Sequence, residues 1–233
     1  MLKNPFAAMK KREWLLWGVS LAVVLASNLL SGILKGSVDP VNLIGTCVGV
    51  TALIFVARGD VWGQILTVVF AVLYGIAAWR VRYWGEILTY LGMSAPIAAL
   101  AVVSWLKNPY NGNRNEVKIQ RLTGRQKIFM FLSAAAVTAV SGWILGALHT
   151  PNLFFSTVSV TTSYLASWLT LQRSSWYGFA YACNDVVLIV LWVLASMEDV
   201  ACLPMIACFV MFFLNDMYGF SSWKKREKKQ RAK

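Results

Sequence analysis

Residues 176–187 read WYGFAYACNDVV and open an apolar segment that has a counterpart earlier in the chain. The counterpart opens with Trp62-Gly63, and each of these segments is followed by another that closes on a Ser-Trp pair, at Trp105 and at Trp223. The opening and closing tryptophans are 43 residues apart in the first copy and 47 in the second. Because another apolar segment precedes each of these, the chain contains two copies of a three-segment unit. Parallel repeats of membrane helices are typical of transporters, whose substrate site lies between the repeats.

The composition excludes a soluble globular protein. Of the 233 residues, 58% are hydrophobic and 14% are charged, whereas soluble domains have roughly 25% charged residues. The formal net charge of +12 lies outside the apolar segments, so we expect anionic lipid headgroups, and not nucleic acid, as its partner. The sequence predicts no metal site, because His149 has no partner at ligand spacing and the cysteines read as free thiols inside apolar segments: Cys47, Cys183, Cys202 and Cys208.

The apolar segments predict eight membrane spans. Each is about 17 to 23 residues long, which suits a hydrocarbon core of about 30 Å. Short turns that contain Pro, Gly, Asp or Ser connect most of them, and the long exception is the basic linker from Lys107 to Lys127. The predicted spans are Trp14–Leu34, Val41–Ala57, Trp62–Trp79, Trp84–Leu106, Ile128–Leu148, Phe155–Leu171, Trp176–Ala195 and Val200–Phe220.

The distribution of basic residues predicts that both termini are cytoplasmic. In that orientation 19 of the 22 Lys and Arg residues lie inside, and only Lys35, Arg80 and Arg82 lie outside. The predicted fold class is therefore all-α integral membrane, with a leading helix and a 3+1+3 arrangement whose copies are parallel. The predicted units are residues 1–40 (basic N-terminus and leading helix), 41–106 (first bundle), 107–154 (linker and linking helix), 155–223 (second bundle) and 224–233 (basic tail).

Polar and aromatic residues inside the spans are the candidate site residues. Asp185 lies near the middle of the seventh span, where a carboxylate is costly unless it faces a cavity or a polar partner. Asp216 lies toward the cytoplasmic end of the eighth span, where it is expected to reach the interface. The alternative interpretation is that these polar groups only fasten helices to each other. The predicted substrate-binding residues are Trp176, Tyr177, Tyr181, Asn184, Asp185, Asn215, Tyr218, Glu86, Tyr90, Gln64 and Tyr74.

The chemistry of these side chains favours a transporter over an enzyme. The sequence has no Ser-His-Asp set, no phosphate-binding loop and no HExxH motif, so no enzymatic reaction, cofactor or ATP-driven pump is predicted. Stacked aromatic rings, a carboxylate and amides suit a flat cation of the nucleoside or vitamin type. A phosphorylated ligand would require Lys or Arg in mid-span, and none is present there.

The chain resembles the PnuC family of bacterial nicotinamide riboside transporters. The resemblance rests on Trp62-Gly63 with Tyr74-Gly75, Tyr83-Trp84-Gly85-Glu86 with Pro96, Asn184-Asp185-Val186, and the final stretch from Tyr218 to Trp223. It implies a fold like that of full-length SWEET transporters, in the bacterial inner membrane, with possible homotrimers. It also implies facilitated diffusion of nicotinamide riboside, which cytoplasmic phosphorylation then traps. The alternatives are a thiamine, riboflavin or sugar carrier of the same fold, and a membrane scaffold subunit that transports nothing.

Overall fold

The computed structural model describes residues 3–38, 40–80, 84–198 and 203–232, which form eight long helices and one short hairpin. A single 3-10 turn, Phe6–Ala8, precedes them. The helices are α1 Lys11–Lys35, α2 Pro40–Ala57, α3 Val61–Arg80, α4 Trp84–Lys107, α5 Gly124–Ala147, α6 Leu153–Leu171, α7 Tyr177–Glu198 and α8 Leu203–Arg231. The hairpin strands are β1 Pro109–Tyr110 and β2 Asn113–Val117, which pair antiparallel.

The helices have the apolar surfaces of a membrane protein. Six of them, α1, α2, α4, α5, α7 and α8, are long and apolar enough to cross a bilayer, and α3 contains a shorter apolar part, Val61–Ile76. Large apolar side chains point outward on these helices: Ile33 is 79% exposed, Leu132 is 67% exposed and Trp143 is 76% exposed. Such residues are stable in contact with lipid and would be costly in water. The all-helical membrane class that the sequence predicts is confirmed.

Helices α2, α3 and α4 form one group and α6, α7 and α8 form another, and α1 contacts both. Helix α3 packs against α2 and α4, and α7 packs against α6 and α8, while α5 packs against α6. Contacts between the groups run from α2 to α8 and from α4 to α6, and α1 touches both α2 and α8. Glycines allow the closest approaches within the groups. A Cβ on Gly63 would lie 2.4 Å from the backbone nitrogen of Val56, and one on Gly178 would lie 2.6 Å from the carbonyl oxygen of Asp216.

Trp105 and Trp223 each donate a hydrogen bond to the other group of helices. The indole nitrogen of Trp105, on α4, donates to the carbonyl oxygen of Thr170 on α6 at 3.1 Å. That of Trp223, on α8, donates to the carbonyl oxygen of Val56 on α2 at 2.8 Å. Val56 and Thr170 hold the same place, one residue before the end of their helices. Both indoles are 0% exposed and their ring centroids are 5.4 Å apart, so the two bonds form one joint, here called the tryptophan joint.

The linker segment, residues 108–123, crosses the same end of the bundle. Its Val117 amide donates to Gly59 in the α2–α3 turn at 3.0 Å, and its Gln120 amide donates to Arg173 in the α6–α7 turn at 3.0 Å. On the last turns of α8, Arg226 pairs with Glu116 at 2.7 Å. The linker therefore ties both groups of helices to the C-terminal helix. We call this the terminal end of the bundle, because residues 3–10 and the end of α8 also lie there, and the opposite end the distal end.

Two segments outside the predicted spans have regular structure. Residues 224–231 continue α8, which ends at Arg231. Lys, Arg, Glu and Gln favour helix, and Glu227 pairs with Arg231 one turn later, which stabilises this last part. In the linker, Asn111 and Gly112, both at positive φ, turn β1 into β2. The predicted first residue of the eighth span, Val200, lies outside the described residues, as do Asp199, Cys202, Arg82 and Tyr83.

Replacement of either joint tryptophan by phenylalanine should lower the midpoint of thermal unfolding in detergent. Trp105→Phe and Trp223→Phe each remove one of the hydrogen bonds that a buried carbonyl oxygen accepts, which costs about 0.5–1.5 kcal/mol. Because the two rings touch, the losses in the double variant should differ from the sum of the single losses. The matched control is Trp143→Phe, whose side chain is 76% exposed and whose midpoint should not change. A midpoint equal to wild type for Trp105→Phe would show that the joint does not hold the groups together.

Candidate functional site

A pocket of about 70 Å³ lies between the two groups of helices, and we call it the central pocket. Side chains from α2, α3, α4, α6, α7 and α8 line it. Five of the predicted site residues line it, together with several aromatic side chains. The lining residues that carry polar or aromatic groups are Gln64, Thr67, Phe70, Tyr90, Ser94, Ser163, Tyr181, Asn184, Asp185, Phe209, Phe212 and Asp216.

Two carboxyl groups face each other in this pocket. Asp185 on α7 is 2% exposed and Asp216 on α8 is 3% exposed, and their carboxyl groups lie within hydrogen-bonding reach of each other. The Oδ2 atom of Asp185 has no hydrogen-bond partner among the described residues. Two carboxylates at this separation repel each other in an apolar interior unless a proton or another cation lies between them. The pair is therefore neutralised either by a proton or by another cation.

Neighbouring hydroxyl groups hold the polar side chains of α7 in place. The Oδ1 atom of Asn184 accepts a hydrogen bond of 2.8 Å from Thr162 on α6. The hydroxyl of Tyr181 lies 3.0 Å from the Ser167 hydroxyl, also on α6. With its oxygen so engaged, Asn184 keeps its amide N–H groups for a ligand. Thr162 and Ser167 of α6 thus orient side chains that line the pocket.

A π-helical turn in α4 places Tyr90 at the pocket. The helix is π from Leu88 to Ser94, between the α segments Trp84–Ile87 and Ala95–Lys107. Pro96 follows this turn, and a proline within a helix has no N–H and crowds the carbonyl four residues earlier. The ring of Tyr90 stands 4.4 Å from that of Tyr74 and 5.7 Å from that of Phe70. Proline in the predicted fourth span was the signal for this irregularity, and π turns are frequent at functional sites.

A second and larger cavity, of about 390 Å³, opens at the distal end, and we call it the distal cavity. The first turns of α4, the α5–α6 turn and the last turns of α7 surround it. Glu86 lies in its wall with its Oε2 atom buried, and that atom has no partner among the described residues. The Tyr74 hydroxyl lies within hydrogen-bonding reach of the Glu86 carboxylate. Tyr74, Trp192 and Leu188 belong to one buried cluster between this cavity and the central pocket.

Comparison with known proteins agrees with this architecture. The pattern that defines the nicotinamide mononucleotide transporters matches residues 39–225. The chain belongs to that family. It is 24% identical over 192 residues to the nicotinamide riboside transporter PnuC of Neisseria mucosa, a match that covers 80% of this chain and 72% of the relative. Its fold is that of the crystal structure of the vitamin B3 transporter PnuC, with a TM-score of 0.78 and 20% identity, over 96% of this chain and 94% of that one.

For this PnuC-like chain, membership in a transporter family agrees with the prediction that it is not an enzyme. The structure distributes the predicted site residues among several places. Gln64, Tyr90, Tyr181, Asn184 and Asp185 line the central pocket. Glu86 lines the distal cavity, and Tyr74 stands in the cluster between the two. The other four lie elsewhere and line neither cavity: Trp176, Tyr177, Asn215 and Tyr218.

Two of these four lie near the terminal end, Trp176 directly before α7 and Tyr177 at its first position. Trp176 is 52% exposed, and the ammonium group of Lys224 stands 4.0 Å from its ring centroid. Tyr177 is 0% exposed and packs against Trp223 with ring centroids 4.6 Å apart. Tyr181 lies one turn further along α7 and lines the pocket, whereas Tyr177 does not. Tyr177 supports the tryptophan joint.

The other two bind α8 to the leading helix. The amide of Asn215 donates to Ser20 on α1 at 2.8 Å and to the carbonyl oxygen of Met211 at 2.8 Å. The hydroxyl of Tyr218 donates to Glu13 on α1 at 3.1 Å, and Glu13 also pairs with Arg58 at 3.7 Å. Both residues therefore serve the attachment of α1. Sequence periodicity assigned them to a cavity because it gives no information on where a leading helix packs.

The pocket also contains residues that the sequence left out. Asp216 was expected to reach the interface, yet it is buried beside Asp185. Gly49 on α2 lines the pocket too, and a Cβ there would lie 3.0 Å from the Phe70 ring and 3.2 Å from that of Phe212. The signal for α2 was the spacing of Gly45 and Gly49, one turn apart, which leaves room for rings from neighbouring helices.

Replacement of Asn215 should loosen α1 from α8. Asn215→Ala removes the bond to Ser20 and should lower the midpoint of thermal unfolding in detergent, at a cost of about 0.5–1.5 kcal/mol for the lost hydrogen bond. Ser20→Ala should give a smaller loss that is not added in the double variant, because both changes remove the same contact. Losses that simply add would mean that the two side chains do not act together.

Proposed function

We propose that the chain is a passive transporter of nicotinamide riboside that binds its substrate in the central pocket. The observation that carries this proposal is the pair of buried carboxyl groups, Asp185 and Asp216, that face each other with no Lys or Arg among the described lining residues. A pyridinium ring beside the pair would offset their negative charge. The relative from Neisseria mucosa is named as a transporter of the same compound.

The same charges disfavour the phosphorylated form of this substrate, although the family takes its name from the mononucleotide. A phosphate group in the pocket would stand beside two carboxyl groups without a cationic partner among the described residues. Like charges brought together at such a site cost several kcal/mol. The unphosphorylated riboside has a cationic ring and a polar sugar. These suit the carboxyl groups, the amide of Asn184 and the rings of Tyr90 and Tyr181.

Alternating access accounts for the unequal cavities. The central pocket, at about 70 Å³, is smaller than a nucleoside, whereas the distal cavity holds about 390 Å³. The tryptophan joint and the linker segment hold the terminal end closed. Movement of the two groups of helices against each other would widen the central pocket and open the terminal end. Cytoplasmic phosphorylation would then trap the riboside and draw further molecules inward.

The finer features of the fold belong to the same proposal. All eight helices would cross the membrane in a 3+1+3 parallel arrangement like that of SWEET transporters, which the exchanged bonds of Trp105 and Trp223 support. Both termini would lie in the cytoplasm of a bacterium whose inner membrane contains the protein, as the distribution of basic residues suggests. The basic terminal end would then contact anionic headgroups. The proposal that the protein forms a homotrimer is based only on the resemblance to the PnuC family.

Purified protein in liposomes should take up nicotinamide riboside until inside and outside concentrations are equal, without a proton or sodium gradient. Uptake of the mononucleotide should be slower by about tenfold or more, because its phosphate repels the two carboxyl groups. The measurement is the uptake of radiolabelled compound, with empty liposomes as the control. Thiamine, riboflavin and a sugar complete the ligand panel.

Three outcomes would contradict the proposal in different ways. Gradient-driven accumulation above the outside concentration would exclude passive transport. Equal uptake of riboside and mononucleotide would exclude selection by the carboxyl pair. Saturable uptake of another vitamin or a sugar alone would reassign the substrate, and no saturable uptake of any compound would support the scaffold alternative.

Asp185→Asn should weaken the binding of nicotinamide riboside by about 1–3 kcal/mol, because it replaces a charged contact to the ring by a neutral one. Calorimetry on the purified protein measures this change. Glu116→Gln is the matched control, since it also turns a carboxylate into an amide but lies in the linker segment. Unchanged affinity in Asp185→Asn would assign Asp185 a structural role.

A further inference from the structure

The distal cavity is separate from the central pocket. No described residue lines both, and consecutive residues on α4 divide between them: Thr89 lines the distal cavity and Tyr90 the central pocket. The rings of Tyr74 and Tyr90, 4.4 Å apart, are part of the barrier between the two spaces, together with Trp192 and Leu188. A molecule in the distal cavity therefore contacts a different set of groups from one in the central pocket.

The groups around the distal cavity accept hydrogen bonds and favour positive charge. The Oε2 atom of Glu86 is buried in its wall without a partner among the described residues. The hydroxyl groups of Ser156 and Ser159 already donate to backbone carbonyls, at 3.2 Å and 2.8 Å, so their oxygens are left as acceptors. Trp84 and Trp192 add aromatic surface. Among the described lining residues none is Lys or Arg, and the one basic group is that of His149.

We propose that the distal cavity is a second binding site, where a cationic nucleoside places its charged ring against Glu86 before it moves to the central pocket. This inference rests on the proposed function, because it assigns the same substrate a first station on its path. A flat ring fits between aromatic surfaces, and ribose hydroxyl groups are donors that suit the serine oxygens. The cavity of about 390 Å³ has the volume for a nucleoside, which the central pocket lacks.

Tyr74 links the two sites. Its hydroxyl lies within hydrogen-bonding reach of Glu86, and its ring packs on Tyr90, which lines the central pocket. A cation that binds Glu86 competes with the Tyr74 hydroxyl for the carboxylate. Loss of that contact frees the tyrosine ring that helps to separate the two spaces. Occupation of the distal site thereby loosens the barrier to the central pocket.

The test compares two ligands of the same size, nicotinamide riboside and its reduced form, whose ring carries no charge. In liposome uptake assays Glu86→Gln should raise the KM for the cationic riboside about tenfold, because a charge-assisted contact is lost, and leave kcat within about twofold. Uptake of the reduced form should not change. Glu86→Asp keeps the charge and should restore most of the affinity for the cation.

A second variant tests whether the ligand occupies the volume of the distal cavity, independently of the ligand's charge. Thr150→Trp, on the α5–α6 turn that lines the cavity, should raise the KM for both ligands, because the indole occupies the entry. An unchanged KM for the cation in Glu86→Gln, or an equal fall in uptake of both ligands, would overturn the second site. If the wild-type protein transports neither riboside, the proposed function fails. If wild type transports the cation and Glu86→Gln behaves like wild type, only the distal site fails.

Discussion

The exchange of two indole hydrogen bonds between the groups of helices is the constraint on which the arrangement depends. Each group supplies a tryptophan to the other and receives one in return, at the penultimate carbonyl of its first helix. A bond of this kind is strong in an apolar interior because no water competes for the donor. Both bonds lie at the terminal end, so they fix the distance between the two groups of helices there. They do not fix that distance at the distal end. The two cavities follow from that difference.

Most of the polar contacts that were difficult to predict from the sequence lie at the terminal end. Glu13 is 2% exposed and binds Arg58 and Tyr218, so the leading helix is attached to both groups of helices through one carboxylate. The linker segment then crosses over the α2–α3 and α6–α7 turns. A flexible loop between α4 and α5 would provide no such tie. Here the linker segment is itself a part of the terminal end.

The positions of the helices were predictable, and the roles of single side chains were only partly so. Apolar length and turn residues locate the helices because each must satisfy its own backbone in lipid. The pairing of Tyr181 with Asp185 followed from a spacing of four residues. The roles of Asn215 and Tyr218 did not, because helix periodicity gives the face of a residue but not the neighbour on that face. Asp216 was missed for a related reason, since the depth of a residue along a span does not indicate which neighbouring helix its side chain faces.

The π turn of α4 gives that helix a property that its neighbours lack. A π turn contains one residue more than an α turn, so residues 88–94 hold a surplus residue between two regular segments. Return of this stretch to α geometry would rotate the segment with Glu86 by about 100° relative to the segment after Pro96. A change between π and α geometry in this one helix would therefore alter the orientation of its residues at the distal cavity relative to its residues at the central pocket. Over evolution, the loss of the surplus residue would return this stretch to a regular α-helix and leave the carboxylate of Glu86 in its present wall.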